Sequence, residues 1–365
     1  MLSDLINEYA RKGDTYQLGE TAEDAMKSME LSHIYKLNSN ENPNGVSPLA
    51  VKAMQEAAAK SNYYPEGTGR ALREKLADRL GVGADNIVIT EGATVAIGLL
   101  GEMFLKPGDE VLMPWPTYSG YQKRLIDRNL AVAVKVPLNE DMTLNFEALL
   151  GAITERTKLV IICNPNNPTG IACDPAALLK FAQRLPKRVI LMVDEAYIQF
   201  AQNPDARSMV RYLNEFKNMV VIQTFSKLYG LAGARVGYAV ACYEMIEYYQ
   251  RTVNYFCASG VALAGAEAAL DDEEFRNSTL EHNEAGRGYL TEELKKLGFS
   301  PFPSSTNFVC CDMGIDPMEI TEKLRKKGVL IRGNLGFPRI TVGTSEANQV
   351  LIETLTAILN RQSGG

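Results

Sequence analysis

The chain is nearly without histidine: His33 and His282 are its two residues of that type in 365. So small a supply removes most zinc centres and most Ser-His or Cys-His hydrolase schemes, which rely on imidazole as ligand or base. The six cysteines form no C-x-x-C pair, and several lie in apolar runs. They read as buried free thiols of a reducing compartment, not as a disulfide framework. No uninterrupted apolar run reaches bilayer length; the nearest, Ala93 to Leu105, contains Glu102. A basic surplus is also missing, with 38 Lys+Arg against 44 Asp+Glu and a net charge of −6. That argues against a general nucleic-acid surface, which needs a basic face. Asp4, Glu8, Arg11 and Lys12 interrupt the first apolar residues, unlike a signal peptide, so the expected location is the cytoplasm. The groups left to run chemistry are lysine, tyrosine, aspartate, arginine or a bound cofactor; no metal site is expected.

What the chain does have is a long alternation. Apolar, β-branched runs at 87–90, 110–113, 131–136, 158–163, 189–193, 219–222 and 236–240 read as strands. Helical patterns at 95–105, 146–153 and 175–184 fall between them. The expected fold is α/β, a large domain with a mostly parallel sheet flanked by helices. After residue 242 the pattern changes to a smaller α+β domain. It has helices at 244–251, 259–270, 275–297, 317–327 and 347–360, and strands at 306–312, 329–332 and 339–342. The expected division is an N-terminal arm 1–35 packing on the small domain or a partner subunit, a large domain 36–255, and a small domain 256–365 that includes the long interdomain helix.

Ligands of such sheets sit at the carboxyl ends of the strands. Each unusual polar loop of the chain falls there: 91–94, 115–118, 164–170, 194–197 and 226–227. Lys227 follows a buried strand and is surrounded by apolar residues and glycines. Burial disfavours its charge, which makes the amine a nucleophile able to form a Schiff base with a carbonyl compound. Taken alone, Lys227 and Arg235 read as solvated loop cations, and Asp194 as a helix cap. An aldehyde cofactor of the pyridine type would need all of them: a carboxylate at the ring nitrogen, for which Asp194 stands at a strand end. Its phosphate would need the amides of Gly92-Ala93-Thr94 at a helix start, with Ser226 and Arg235. Its ring would stack on Tyr118 or Trp115, and its ring oxygen would meet Asn167 and Tyr197.

Asn164-Pro165-Asn166-Asn167-Pro168-Thr169-Gly170, Val193-Asp194-Glu195-Ala196-Tyr197 and Ser226-Lys227-x-x-Gly230-Leu231-Ala232-Gly233-x-Arg235-x-Gly237 resemble the fold-type I pyridoxal-phosphate aminotransferases. Leu37-x-x-Asn40-Glu41-Asn42-Pro43, Pro116-Thr117-Tyr118 and Arg339-Ile340-Thr341-Val342-Gly343-Thr344 extend the match across nearly the whole chain. The subgroup it looks most like is the histidinol-phosphate aminotransferases. The resemblance implies pyridoxal 5'-phosphate as cofactor, with Lys227 as its Schiff-base lysine and proton shuttle and Asp194 at the pyridine nitrogen. It also implies Tyr197 and Asn167 at the ring hydroxyl, Tyr118 stacked on the ring, and Ala93, Thr94, Ser226 and Arg235 around the phosphate. A homodimer with shared active sites follows from it too, with Tyr64 reaching the neighbouring subunit's phosphate. Arg339, together with Arg332, Asn40 and the arm residue Tyr16, would meet the substrate. The implied reaction is ping-pong transfer of an amino group from histidinol phosphate, or a related aromatic or imidazole amine, to 2-oxoglutarate.

Three segments depart from the family pattern: Val253-Asn254-Tyr255-Phe256-Cys257, the short run Gly333 to Pro338, and Thr94-Val95 where an acidic residue is usual. They leave open an aromatic amino-acid transaminase, or a decarboxylase of a phosphorylated amino acid such as a threonine derivative. A pocket containing Tyr16, Tyr255 and Phe337 would suit an imidazole or phenyl side chain.

Overall fold

The computed structural model describes residues 5–12, 21–29 and 31–362. Numbered in chain order, its first eight strands are β1 (Tyr35–Lys36), β2 (Ile87–Thr90), β3 (Glu110–Trp115), β4 (Val132–Pro137), β5 (Thr157–Cys163), β6 (Ile190–Asp194), β7 (Met219–Thr224) and β8 (Gly237–Ala241). Strands β2 to β8 make one sheet in the order β2-β8-β7-β6-β5-β3-β4. Pairing is parallel from β7 through to β4. β8 runs antiparallel to both its neighbours. The segment between β7 and β8 contains no helix. Without a crossover helix the chain folds back on itself, and the pair is antiparallel.

The central strands are too apolar to leave a face wet, and helices cover both sides. Along β5, Val160 and Ile162 face a core that includes Phe181 and Leu178, while Leu159 and Ile161 face one that includes Ile97 and Tyr121. All four β5 residues are essentially inaccessible, and each contributes roughly 1.5–3 kcal/mol by burial. The first face is covered by the helices Arg70–Leu80, Phe146–Gly151 and Pro175–Arg184. The second is covered by Ala93–Phe104 and Tyr243–Thr252.

A smaller α+β unit follows. Its long helix, Glu273–Lys296, starts on the Asp272 carboxylate, which accepts from the Phe275 amide. β10 (Phe308–Asp312) lies antiparallel between β9 (Ser300–Pro301) and β12 (Arg339–Thr341). β11 (Val329–Leu330) pairs in parallel with β1. Leu290, Leu294, Val309, Ile340 and Leu351 form its core.

Two details differ from the expected division at 255/256. The helix Gly260–Asp271 sends Ala262, Leu263, Ala266 and Ala269 into the core of the large sheet. Its small residues allow a close approach to the helix Pro48–Ala58, where Gly265 faces Met54. The large core therefore extends through this helix, and Phe308 of the small unit reaches into it as well. At the other end, β1 and Leu37 pack with the small unit, so the chain leaving the arm visits that unit before entering the large one. Among the described residues all six cysteines are free, no helix is long and apolar enough to cross a membrane, and no group of His, Cys, Asp and Glu could hold a metal ion.

Candidate active site

A cavity of about 250 Å³ lies at the carboxyl ends of β5, β6 and β7, where Cys163, Asp194 and Thr224 reach its wall. Ala93 and Thr94 enter it from the start of the helix Ala93–Phe104, and Arg235 from the turn before β8. Tyr118, Asn167, Tyr197, Ser226 and Lys227 complete the set. Nine of the ten residues expected around a cofactor thus share one cavity.

Its cationic end is a cradle built from backbone. Gly92 precedes the helix with φ +78° and ψ 160°, and no side chain caps the helix amides. A Cβ on Gly92 would strike the Arg235 guanidinium, and one on Gly237 would strike the Ala93 nitrogen and the Gly92 backbone. The two glycines let helix start, guanidinium and β8 converge on one small volume. Ser226 joins them, its hydroxyl accepting from Thr224 Oγ1 at 2.9 Å. Free amides, a hydroxyl and a guanidinium at a helix N-terminus suit a phosphate dianion. The backbone of Gly92 lies in a region almost restricted to glycine, where another residue costs about 1–3 kcal/mol. Gly92→Ala is accordingly expected to lower stability by about 2 kcal/mol in chemical denaturation; an unchanged unfolding midpoint would contradict the crowding described.

Asp194 forms the opposite end. It is 4% exposed. Its Oδ2 accepts from the Tyr121 hydroxyl at 2.6 Å and its Oδ1 from the Ala196 amide at 3.1 Å. Burial raises its carboxyl above the usual range, and the two hydrogen bonds oppose that rise. Tyr121 is not legible in the sequence as a site residue. Its one signal is its place three residues beyond Tyr118 on the same turn of chain, where the two rings meet edge to face with centroids 5.2 Å apart.

Lys227 lies between these ends. Its Nζ donates to the Ser39 carbonyl at 3.2 Å and the Asn40 carbonyl at 3.1 Å. Burial lowers its pKa to about 8, helped by the nearby Arg339 and Arg235 cations and opposed by Glu41 and Asp194. The folded value lies below the unfolded one, so the unfolded chain binds the extra proton between the two. Lys227 therefore costs stability below pH 8, and the cost fades as pH rises toward about 10.4. An amine-selective reagent should label Lys227 with an inflection near pH 8 in protein freed of any bound carbonyl compound by hydroxylamine treatment and dialysis, read by mass spectrometry. An inflection near the free-lysine value of about 10.4 would contradict this environment.

Asn40 joins the two units beneath the lysine. With φ +54°, a conformation asparagine tolerates better than most residues, it donates from Nδ2 to the Tyr197 hydroxyl at 2.9 Å. Its amide donates to Thr341 Oγ1, and its carbonyl also accepts from Asn307 Nδ2. Tyr197 accepts from Asn40, which leaves its own proton available to another acceptor. Burial pushes its phenol well above the ordinary value, so it stays neutral. Arg339 is buried, with Nη1 donating to Asn167 Oδ1 at 2.7 Å and Nη2 to the Asn38 carbonyl at 2.8 Å. Arg332 bridges it through paired main-chain hydrogen bonds, so both side chains leave the strands on one face.

Other expected positions fall elsewhere. Tyr64 is 83% exposed and stacks on Phe256 at 4.7 Å, lining a separate surface groove and not this cavity. Trp115 stands outside it as well, with Lys135 Nζ 3.9 Å from its ring. Tyr255 and Phe337 do not form an aromatic pocket here. Phe337 packs edge to face on Phe302, and Tyr255 projects from a loop whose next residue, Phe256, has φ +55°. Tyr16 lies outside the described residues.

A lysine with a lowered pKa, a buried carboxylate and a phosphate cradle around one strand-end cavity define a class. The chain belongs to the family "Aminotransferase class I and II", whose model matches residues 32–355. Within that class, it is 38% identical over 355 residues to a histidinol-phosphate aminotransferase of Symbiobacterium thermophilum, covering 96% of this chain and 97% of that one. A histidinol-phosphate aminotransferase of Geobacillus thermodenitrificans is 36% identical over 362 residues, 98% and 99% of the two chains. Among solved structures, the histidinol-phosphate aminotransferase of Sinorhizobium meliloti in complex with pyridoxal-5'-phosphate matches with a TM-score of 0.89 at 26% identity, covering 97% and 98%. The aspartate aminotransferase of Thermus thermophilus with maleate shares the fold, with a TM-score of 0.80 at 21% identity and coverage of 97% and 99%.

Proposed function

We propose that the protein is a pyridoxal-phosphate-dependent aminotransferase that moves the amino group of histidinol phosphate to 2-oxoglutarate in a ping-pong cycle. The observation that carries this reading is the convergence of Lys227, Asp194 and the Gly92–Arg235 cradle on one cavity. The extent and names of the relatives support the substrate. Bound there, pyridoxal phosphate supplies an aldehyde carbon that condenses with an amine and a ring that withdraws electrons from it.

The chain's own residues divide the remaining work. The Ala93 and Thr94 amides, Ser226 and Arg235 hold the phosphate, and Tyr118 lies against the ring. Asp194 keeps a proton on the ring nitrogen, held in place by Tyr121 and the Ala196 amide. Tyr197 and Asn167 donate to the ring oxygen. Lys227 Nζ, with a pKa of about 8, is basic enough to take a proton from the substrate's Cα and acidic enough to return it near neutral pH. Arg339 holds an acid group of the substrate, with Arg332 and Asn40 beside it. The reading further includes a cytoplasmic homodimer in which Tyr64 reaches the partner's phosphate and the N-terminal arm packs on the small unit or on the partner. In it the large unit binds the cofactor and the small unit brings Arg339, on β12, to the substrate.

Turnover with 2-oxoglutarate and a panel of donors (histidinol phosphate, histidine, phenylalanine and tyrosine) tests the assignment through glutamate formation. Histidinol phosphate is expected to lead in kcat/KM, because its phosphate dianion pairs with the Arg339 and Arg332 cations more strongly than the single carboxylate of an amino acid does. Equal turnover of phenylalanine would shift the reading to an aromatic transaminase. Release of carbon dioxide without any need for a keto acid would shift it to a decarboxylase.

A further inference from the structure

The cavity lies on one side of the ends of β6 and β7, next to the turn that enters β8; the other side of these strand ends carries a buried polar chain. Side chains alternate along β6, β7 and β8 between the two cores. Val193, Val221 and Val240 belong to one, and Met192, Ile222 and Ala239 to the other. Continuing that period of two, Asp194, Thr224 and Gly237 point toward the cavity side, and Glu195, Gln223 and Tyr238 point away. The strands are in register: Thr224 pairs with Gly237, Gln223 with Tyr238, and Asp194 with Ile222. Asp194, Thr224 and Gly237 are thus each the chain neighbour of one residue on the back, Glu195, Gln223 and Tyr238.

On the back those residues are joined. Glu195 is fully buried. Its carboxylate accepts from the Met209 amide at 2.7 Å, the Ser208 hydroxyl at 2.7 Å and Gln223 Nε2 at 2.8 Å. Gln223 Oε1 in turn accepts from the Tyr238 hydroxyl at 2.6 Å. Burial pushes the Glu195 carboxyl up to about 7, with these three donors opposing the rise. A buried carboxyl group is costly, and neither the cofactor contacts nor the proton transfer uses it. We infer that Glu195 is a positioning residue: through Gln223 and Tyr238 it ties the ends of β6, β7 and β8 into the spacing that the phosphate cradle and Asp194 require. A rigid chain behind the wall fixes where Asp194, Ser226 and Gly237 stand, as outer-shell partners do for the ligands of other sites.

The inference rests on the proposed cofactor, and the test separates the two. Wild type, Glu195→Ala and Glu195→Gln are compared, at a temperature where circular dichroism shows each folded. The dissociation constant of pyridoxal phosphate is measured by absorbance titration after dialysis. Amide hydrogen exchange is followed in the protein without added cofactor. Glu195→Ala is expected to bind about tenfold or more weakly, the scale of a lost charge-assisted anchor. It should also speed exchange at 194–196 and 223–227 relative to the rest of the sheet. Glu195→Gln, which retains one acceptor and the side-chain volume, should recover most of both effects. A lower melting temperature with unchanged affinity and uniform exchange would overturn the positioning role and leave Glu195 as general packing. If wild type binds no pyridoxal phosphate, the functional reading fails; the exchange pattern of Glu195→Ala still decides whether the three strand ends are coupled. Should Glu195→Ala not fold, Gln223→Leu removes the middle of the chain and is expected to give the same local exchange and weakened binding; wild-type values for it would overturn the inference.

Discussion

Lys227→Ala is expected to abolish transamination, lowering kcat by at least about a thousandfold, within the range given by loss of a positioned general base. The amine is the group between cradle and carboxylate that combines nucleophilicity with a titration point near neutrality. Its neighbours Arg339, Arg235 and Tyr197 are fixed as proton donors or permanent cations, so none of them can take its place. Loss of the lysine should leave the fold intact, because folding has to offset the desolvation of its charge. Added methylamine should recover part of the rate by acting as a free base in the vacated space. A variant with more than a tenth of wild-type activity would remove Lys227 from the chemistry.

Asp194→Asn should have the second largest effect, about a hundredfold on kcat/KM, which corresponds to about 3 kcal/mol for a buried charge-assisted hydrogen bond. The substitution conserves volume; its one oxygen can still accept from the Ala196 amide, while its amide nitrogen can donate to the Tyr121 oxygen, where the carboxylate accepts from both. The loss therefore reports on charge and not on packing. The buried carboxylate is also the acceptor that holds Tyr121, whose own phenol is pushed far up by burial and by Asp194. A neutral amide in that place cannot keep a ring nitrogen protonated. Near-normal kinetics for Asp194→Asn, in a variant that binds cofactor fully, would dismiss the carboxylate's role.

Much of this site is legible in the order of residues along the chain. Lys227, Asp194, Asn167 and Ser226 are polar residues directly after apolar strands, and in a parallel sheet that position faces a common edge. Gly92 and Gly237 stand where backbones have to meet. What is not legible depends on contacts across long separations. Asn40 binds Tyr197, Thr341 and the lysine amine, and nothing local in a run of turn-forming residues announces that. Tyr121 sits in a mixed segment where no period marks it as inward. Glu195 reads as a loop residue until the alternation through β6 is carried one step further. The aromatic residues Tyr255 and Phe337 illustrate the opposite error: near the site in sequence, each is drawn elsewhere, Phe337 onto Phe302 and Tyr255 toward solvent. The boundary between the two units is hidden for a similar reason. The alanines of the helix Gly260–Asp271 fit either core by composition, and only their packing on Pro48–Ala58 assigns them.

The central claim is that Lys227 is the residue to which the cofactor is joined. Borohydride reduction of the protein loaded with pyridoxal phosphate, followed by peptide mapping, tests it most directly. A single stable cofactor label on the peptide containing Lys227, lost in Lys227→Ala, is the predicted result. Label spread over surface lysines, or none at position 227, would contradict it.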